Sequence, residues 1–392
     1  MNLYDTTPAP IRVTTAIRQL GGPGKGVILG YFPIARLNPY QALLYSRAWE
    51  NEFAPIGLAT LEDLHALEIA VTVGTPALLH IHWTAPVTTR ATDADKAERA
   101  AVDFLTQLEE LRSIGVQILW TVHNVLPHMC RFPDVEISIR KRLAELADWI
   151  HVMASDTVAA TQDLYALPRE KLIEVPHPSY VDAYPRHYSR RQARFELGYR
   201  SSDLVIGTIG SIQPYKGLDV LIDAAERARA DNPHLQILIA GLPGRDPQSA
   251  ALIDALYEVP YIRCLARSLD PNEVALAIRA LDAAVLPYKA SLNSGAALLA
   301  LSQGVPIIAP RIGSFTRLVD AGYGLGYEGD PITGLSEAIA QLPEFLQSFD
   351  AESALEYCAS ISGPSVSQQF FEAVSEALRA DKPTLASDSS QR

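Results

Sequence analysis

The sequence predicts an α/β protein built from two doubly wound domains, each with a parallel sheet. Short runs rich in Val, Ile and Leu alternate with longer amphipathic runs along the chain. The short runs lack the alternation of apolar and polar residues, which is typical of strands buried on both faces of a parallel sheet. Because this series begins near residue 27 and again near residue 204, two domains are expected.

The elements of the first series are predicted from these runs in chain order. The predicted strands are Val27–Phe32, Leu78–His82, Val116–Val122, Trp149–Met153 and Leu172–Val175. Between them, the 3.6-residue spacing of apolar positions predicts helices over Gln41–Glu52, Lys96–Ser113 and Ser155–Tyr165. The second series has strand-like runs that begin at Leu204, Leu235, Ala283 and Val305.

Domain boundaries follow from composition. Residues 177–203 are rich in Pro, Tyr and Arg, and we interpret them as the linker and the entry to the second domain; their basic character fits a solvated surface or an anion or membrane patch. The predicted ranges are 1–185 for the first domain and 186–360 for the second. A helix over 361–380 could pack back on the first domain, and the polar tail 381–392 is expected to be disordered.

Bulk composition excludes several classes of protein. The 392 residues carry a net charge of −12, which argues against a nucleic-acid-binding surface. The three cysteines are scattered and odd in number, which fits a reducing cytoplasm and neither a disulfide framework nor a cysteine zinc site. No apolar stretch approaches the ~20 residues of a membrane span. We therefore expect a soluble cytoplasmic protein, with peripheral contact at the inner face of the membrane left open.

Three loops in the second half are suited to binding an anion. In parallel α/β sheets, ligands bind beyond the carboxyl ends of the strands. The first loop runs from Gly210 to a Pro-Tyr-Lys-Gly turn, whose Lys216 could reach a phosphate. The second contains Gly241, which permits close approach of the backbone. In the third, Ser294 is a good N-cap, and the amides of Gly295 and Ala296 would face a diphosphate.

These segments resemble the glycosyltransferases of the GT-B fold. The run "GSIQPYKGLDVLIDA" looks like the Lys-Gly signature of that superfamily, and "LPYKASLNSGAALLALSQGVPIIAP" is similar to its donor-binding segment. In the first half, "HIHWTAP", "LWTVHNVLPH" and "NPYQALLYSRAW" resemble bacterial enzymes of exopolysaccharide and glycolipid biosynthesis, including β-mannosyltransferases. The resemblance covers residues 27–330 and implies two Rossmann-like domains facing across a cleft, with a nucleotide sugar as donor.

The sequence departs from the broad retaining group of that superfamily in one respect. That group carries two glutamates in the donor segment, one on the sugar and one on the ribose hydroxyls. The aligned positions here are Ser291 and Leu299, and the frequent arginine of the Lys-Gly loop is replaced by Ser211. Asn293 and Arg311 are therefore candidates to compensate. With Gly210, Ser211, Gly241 and Tyr288, they make up the predicted nucleotide and sugar site.

Histidines at two strand ends are the candidates for acid–base chemistry. An inverting transferase needs a base for the acceptor hydroxyl, supplied in this family from the opposite domain. His123 ends one predicted strand and His82 another, and an ordinary histidine pKa of ~6.5 suits proton transfer near neutrality. His123 is the preferred base, or a ligand of the donor sugar if configuration is retained. A structural role for either imidazole stays open.

Other residues of the first half have a less specific pattern. Arg36, Asn38 and Tyr40, in the loop after the first strand, together with His128, are predicted to bind the acceptor. His80, His82, His123 and His128 could also form a metal site, and Asp93-Ala-Asp95 imitates an Asp-x-Asp metal motif, but it opens a predicted helix. We expect no metal and no cofactor.

The sequence therefore predicts a metal-independent hexosyltransferase. It would move a sugar from a nucleotide diphosphate, with GDP-mannose favoured over UDP-sugars, to a glycan or a lipid-linked acceptor. Two alternatives share the architecture: a protein that binds nucleotide sugars without catalysis, as the missing glutamates allow, and a nucleotide-sugar epimerase or hydrolase. Release of nucleoside diphosphate in the presence of an acceptor separates them.

Overall fold

The computed structural model describes residues 7–127, 130–244 and 246–380. The described residues form two compact units, one of residues 7–176 with 364–380 and one of residues 177–363. The division after Pro176 comes before the boundary that composition suggested after residue 185. His128 and the tail 381–392, both subjects of predictions above, lie outside the described residues.

The first unit contains a six-stranded parallel sheet with the strand order β2-β1-β3-β4-β5-β6. Its strands are β1 (Val27–Phe32), β2 (Phe53–Gly57), β3 (Ala77–Ile81), β4 (Gln117–Thr121), β5 (Trp149–Val152) and β6 (Leu172–Glu174). Its helices are α1 (Ala9–Gln19), α2 (Tyr40–Leu44), α3 (Leu67–Thr72), α4 (Ala85–Thr88), α5 (Ala94–Ser113), α6 (Pro133–Leu146) and α7 (Thr157–Thr161). The buried strands β1, β3 and β4 form the centre of its core.

The second unit repeats this plan, with a parallel sheet of order β12-β11-β10-β7-β8-β9. Its strands are β7 (Leu204–Ile209), β8 (Leu235–Gly241), β9 (Ile262–Ala266), β10 (Ala283–Val285), β11 (Ile307–Pro310) and β12 (Gly324–Tyr327). Its helices are α8 (Arg190–Glu196), α9 (Leu218–Arg229), α10 (Pro247–Tyr257), α11 (Pro271–Ala280), α12 (Gly295–Leu301), α13 (Gly313–Asp320), α14 (Pro331–Ser348) and α15 (Ala351–Ser360). The final helix, α16 (Gly363–Ala380), belongs to the first unit from Pro364 onward.

The predicted fold class, α/β with two doubly wound Rossmann-like domains, is confirmed by the two parallel sheets. Two predicted helices are wrong in their extent, and one of them, Ser155–Tyr165, is helical only over Thr157–Thr161 (α7). The segment Gln41–Glu52 forms only the short helix α2 and a 3-10 turn over Trp49–Asn51. Between them, Tyr45 turns its side chain into the core, where it is buried between histidines. Tertiary packing outweighs helix periodicity here.

The Asp93-Ala-Asp95 sequence, which imitates a metal motif, lies at the start of α5 and has a structural explanation. Asp93 is the N-cap, and its side chain accepts a hydrogen bond from the Lys96 amide at 2.9 Å. That bond is the largest cause of the lowered pKa of the Asp93 carboxyl. A carboxylate at this position stabilises the helix start, as both capping and the helix dipole favour.

Candidate functional site

Four histidine rings meet in the core of the first unit, beyond the central strands. His80 and His82 come from β3 and the residue that follows it, His123 follows β4, and His151 belongs to β5. Tyr45 and Thr121 join these rings by hydrogen bonds, and we call the six side chains the histidine row. In order, the bonds join His151 Nδ1 to Thr121 Oγ1 (3.0 Å), Thr121 Oγ1 to His80 Nε2 (2.6 Å), His80 Nδ1 to Tyr45 Oη (2.7 Å), Tyr45 Oη to His82 Nε2 (2.6 Å), and His82 Nδ1 to His123 Nε2 (3.0 Å).

Most of the histidine row is excluded from water. His80 is 0% exposed and His82 is 2% exposed, and burial is the largest cause that holds the pKa of both rings well below the ordinary value. Phe370 of α16 stacks on the His80 ring, with 5.5 Å between the ring centroids. Only His123 is half-buried, because it lies past the end of β4. The row therefore leads from the core to a single partly exposed imidazole.

The loop that carries His123 is anchored by a buried ion pair. Arg140 and Glu136, one turn apart on α6, are joined at 2.9 Å and are nearly inaccessible to solvent. The same guanidinium donates to the Asn124 carbonyl at 2.9 Å, and the Tyr165 hydroxyl donates to the Val125 carbonyl, also at 2.9 Å. These bonds fix the backbone immediately after His123. Trp83 stacks on the His123 ring at 4.3 Å between centroids, which fixes the ring itself.

In the second unit, Lys216 is a buried cation at the carboxyl end of β7. Its side chain is 6% exposed, and a Cβ atom placed on Gly210 would lie 2.8 Å from its ammonium nitrogen. The ammonium also lies 5.7 Å from the centroid of the Tyr288 ring. No acidic side chain of the described ranges forms a salt bridge with it. Burial alone lowers the pKa of Lys216 to about 8.

Helix α12 begins beyond β10, the neighbour of β7 in the sheet. Ser294 is its N-cap, and the hydroxyl accepts a hydrogen bond from the Ala297 amide at 3.2 Å. The amides of Gly295 and Ala296 have no partner among the described residues. The helix has only 7 residues, so its dipole contributes modestly. Lys216 and this helix start therefore lie at the same edge of the sheet.

Several buried polar atoms near this edge lack a hydrogen-bond partner in the described part of the chain. They are Thr208 Oγ1, Ser291 Oγ, Asn293 Nδ2 and Ser314 Oγ. Gly313, at the start of α13, packs so closely on the Ser291 carbonyl that a side chain would not fit. Buried polar atoms without partners cost free energy, and ligands are one way to satisfy them. Within the described residues, this edge therefore combines a cation that has no acidic partner with buried polar atoms that have no hydrogen-bond partner.

Tyr180 is a neighbour of this site that sequence reasoning missed. The sequence predicts that residues 177–180 belong to the linker, yet the Tyr180 side chain is buried against α12, and its amide donates to the Ser302 hydroxyl at 3.0 Å. A Cβ atom on Gly295 would lie 2.6 Å from the Tyr180 hydroxyl oxygen. Packing against Tyr180 is therefore enough to exclude a side chain at position 295, whether or not a ligand binds there.

The remaining predicted donor residues occupy different environments. Gly241 ends β8 with φ 149°, and a side chain there would collide with the Gly210 carbonyl. Ser211 follows Gly210 and hydrogen-bonds the Tyr215 side chain; burial raises the pKa of Tyr215, and this bond opposes part of that rise. Arg311 pairs with Asp320 at 2.5 Å, so its guanidinium already has an acidic partner on α13. Replacement of the missing glutamates by Arg311 stays a prediction, and so does the role of Asn293.

The predicted acceptor residues do not share one environment either. Arg36 and Asn38 are exposed on the loop after β1. Tyr40 is 1% exposed, and its ring lies edge-on to the rings of His82 and His123, with centroids at 5.9 and 5.0 Å. Tyr40 therefore supports the histidines rather than lying on the surface with Arg36 and Asn38. Across the described ranges, no group of three or more His, Cys, Asp or Glu side chains is arranged to hold a metal ion.

Comparison with known proteins agrees with this architecture. Residues 203–345, which include Lys216 and α12, match the family described as "Glycosyl transferases group 1". A GDP-mannose:glycolipid 4-beta-D-mannosyltransferase of Xanthomonas campestris pv. campestris is 27% identical over 303 residues, which is 76% of this chain and 78% of that protein. The chain is a glycosyltransferase.

Solved structures show the same fold for this glycosyltransferase. The sucrose-phosphate synthase of Thermosynechococcus elongatus has a TM-score of 0.68 at 15% identity, with 91% of this chain and 100% of that chain covered. HepE of Anabaena, solved in complex with UDP and glucose, has a TM-score of 0.63 at 14% identity, with 89% and 99% covered. Together with the family match and the Xanthomonas relative, this shared fold confirms the resemblance to the GT-B glycosyltransferases drawn from the sequence. Within the described residues, no helix has the length and apolar character needed to cross a bilayer.

Proposed function

We propose that this glycosyltransferase moves a hexose, with mannose from GDP-mannose favoured, to a glycan or lipid-linked acceptor without a metal ion. The observation that carries the proposal is Lys216: a buried ammonium without an acidic partner among the described residues, at the sheet edge where α12 begins. The preference for GDP-mannose and a glycolipid rests on the name of the Xanthomonas relative. Polysaccharide or glycolipid synthesis at the inner face of the membrane would fit such an acceptor.

The donor diphosphate would be held by fixed positive groups. As the bond between the anomeric carbon and the phosphate oxygen breaks, negative charge grows on the diphosphate. Lys216 would oppose that charge in a buried setting where electrostatic stabilisation is strong, and the amides of Gly295 and Ala296 would donate to the same oxygens. Asn293, Ser291 and Ser314 supply further unsatisfied polar atoms. This arrangement supports a reaction in which protein groups take the place of a metal.

The acceptor side needs a group that takes one proton. In the proposed step, an oxygen of the acceptor hydroxyl forms a bond to the anomeric carbon, and the electron pair of the breaking bond leaves with the diphosphate. The hydroxyl proton passes to His123, the half-buried member of the histidine row. His82 supports His123 by the 3.0 Å bond between their rings. His82 is 2% exposed and both of its ring nitrogens are hydrogen-bonded, so in this proposal it positions His123 and is not the base.

A panel of nucleotide sugars tests the donor. Thermal unfolding is recorded with GDP-mannose, GDP-glucose, UDP-glucose and UDP-galactose, since a ligand present at 100 times its Kd stabilises the native state by about 2.7 kcal/mol. We expect GDP-mannose to give the largest shift and to release GDP when a polyprenyl-diphosphate oligosaccharide is added. A larger shift with a UDP-sugar would overturn the donor preference. Binding without release of nucleotide with any acceptor would favour the non-catalytic alternative.

Metal independence is tested separately. Turnover is measured after treatment with EDTA and again after addition of Mg²⁺ or Mn²⁺. We expect equal rates, because Lys216 and the amides of α12 supply the positive potential. A loss of activity in EDTA that Mn²⁺ restores would contradict this part of the proposal.

A further inference from the structure

The histidine row has a defined direction because one end meets a group that can only accept a hydrogen bond. His151 Nε2 lies 2.9 Å from the carbonyl oxygen of Val175. A carbonyl has no hydrogen to donate, so Nε2 of His151 carries the proton. Both ring nitrogens of His151 bond to neutral groups, the Thr121 hydroxyl and the Val175 carbonyl, and a buried imidazolium held only by neutral groups costs several kcal/mol. A neutral His151 therefore has its lone pair on Nδ1.

The donor and the acceptor in each further hydrogen bond of the row follow from those in the preceding bond. Since Nδ1 of His151 accepts, the Thr121 hydroxyl donates to it, and the Thr121 oxygen accepts from Nε2 of His80. His80 is then left with a lone pair on Nδ1, so the Tyr45 hydroxyl donates to that atom. The Tyr45 oxygen in turn accepts from Nε2 of His82. A hydroxyl donates once, which makes this sequence of bonds consistent at both Thr121 and Tyr45.

The last bond decides the state of the proposed base. His82 uses its proton on Nε2, so Nδ1 of His82 accepts from Nε2 of His123 at 3.0 Å. We infer that the histidine row holds neutral His123 in the tautomer with hydrogen on Nε2 and the lone pair on Nδ1, and that Tyr45 and Thr121 are positioning residues for this base. The inference rests on the proposed function only in assigning His123 as the base; the tautomer follows from the hydrogen bonds.

Burial supports the single direction. His80 and His82 have pKa values well below the ordinary value, mainly because of desolvation, so each carries one ring proton at neutral pH. If the row ran the other way, every ring would carry its proton on the other nitrogen, and His151 would need a proton on both nitrogens to keep its bond to Val175. That state places a buried positive charge two hydrogen bonds from His80.

The hydroxyls of Thr121 and Tyr45 are needed to fix the tautomer of His123. The hydroxyls of Thr121 and Tyr45 each accept one hydrogen bond and donate one, so each passes the direction set at Val175 on to the next ring. Replacing either with a residue of similar shape but no hydroxyl separates His123 from the carbonyl that sets the direction. His82 and His123 could then exchange tautomers together, and a fraction of His123 would carry its proton on Nδ1. That fraction cannot accept a proton from the acceptor hydroxyl at Nδ1.

The test is the nitrogen chemistry of the rings in the full-length protein labelled with ¹⁵N-histidine. Long-range ¹H–¹⁵N correlation spectra distinguish a protonated ring nitrogen from one with a lone pair, and His123→Gln assigns the His123 signals. We expect Nδ1 of His123 at the shift of a lone-pair nitrogen in the wild type. In Tyr45→Phe and Thr121→Val, the Nδ1 signal should move toward that of a protonated nitrogen, with kcat falling by the same fraction.

Tyr31→Phe is the matched control. Its ring lies 5.0 Å from the Tyr45 ring, so the change removes a buried tyrosine hydroxyl from the same core and leaves the bonds of the row in place. The His123 shifts should be those of the wild type. Protonated Nδ1 in wild-type His123, or unchanged shifts in a folded Tyr45→Phe and Thr121→Val, would overturn the inference. Full activity in His123→Gln with the predicted shifts would instead overturn only the base assignment.

Discussion

Replacing Lys216 with methionine tests the donor site through stability and binding together. Methionine keeps most of the volume of the lysine side chain and removes its charge. In the unliganded protein, burial lowers the pKa of the Lys216 ammonium from 10.5 to about 8, with no opposing attraction from an acid. Keeping this ammonium charged at pH 7 therefore costs the folded state about 3 kcal/mol.

The expected result has opposite signs for stability and for binding. Lys216→Met should stabilise the free protein by about 1–3 kcal/mol, because the desolvation cost is removed while the 5.7 Å contact of the ammonium with Tyr288 is lost. The transition of the second domain should rise by several degrees, at roughly 2–4 °C per kcal/mol. Donor affinity should fall about 10- to 100-fold, as expected for loss of a charged hydrogen bond worth roughly 1.5–3 kcal/mol.

The pH dependence of the free energy of unfolding distinguishes two reasons for a more stable Lys216→Met protein: removal of the buried charge, or better packing of the methionine side chain. Folded Lys216 loses its proton near pH 8, whereas the unfolded residue loses it near the ordinary value of 10.5. Between these values the unfolded state binds more protons, so the free energy of unfolding of the wild type rises with pH. Below pH 8, the wild type carries the full free-energy cost of the buried, charged Lys216 ammonium. The stability difference between Lys216→Met and the wild type should therefore shrink from pH 8 to pH 10.

The assays are differential scanning fluorimetry across pH and isothermal titration with GDP and GDP-mannose. Lys289→Met is the control, since it removes an exposed ammonium from the loop after β10. It should leave both stability and its pH dependence unchanged. A destabilised Lys216→Met protein that binds the nucleotide as tightly as the wild type would refute both the burial argument and the phosphate role.

Three further predictions concern the two sites. His123→Ala should lower kcat by about 10²–10⁴, the range for loss of a general base, and leave the affinity for the donor unchanged in titration; an unchanged kcat would exclude His123 as base. Glu136→Leu leaves Arg140 as an unpaired buried charge, so the free energy of unfolding in urea should fall by about 3–5 kcal/mol, with the exposed pair partner Glu145→Leu as a control near zero. Gly295→Ala would place a Cβ atom 2.6 Å from the Tyr180 hydroxyl oxygen, so we expect weaker donor binding in titration. Adding Tyr180→Phe to the same protein should restore part of the donor affinity. If the effects of the two substitutions on the binding free energy were additive in the double variant, the two residues would act separately.

Burial explains which strands the sequence could reveal. β1 has the predicted bounds, β8 begins at the predicted residue Leu235, and the other central strands differ from prediction by at most two residues at their ends. The three strands that periodicity missed, β2, β9 and β12, each lie at the edge of a sheet. They contain Pro55, Arg263 and the glycines 324 and 326. Edge strands tolerate proline, glycine and charge because one side has no strand partner, so they lack the apolar run of a central strand.

The sequence by itself determined the features that depend on neighbouring residues. The apolar runs specified two parallel sheets, and the Ser294 cap and the Lys216 turn could be read because capping and turn chemistry act within a few positions. The histidine row could be seen only in the tertiary structure. Its members lie on or just after α2, β3, β4 and β5, and they meet because parallel strands bring distant segments of the chain to one edge of the sheet. The tertiary structure also placed Tyr180 against Gly295 and left Lys216 without an acid within the described residues. Burial, hydrogen-bond direction and desolvation depend on what surrounds a side chain in space, and a sequence pattern carries no measure of that surrounding.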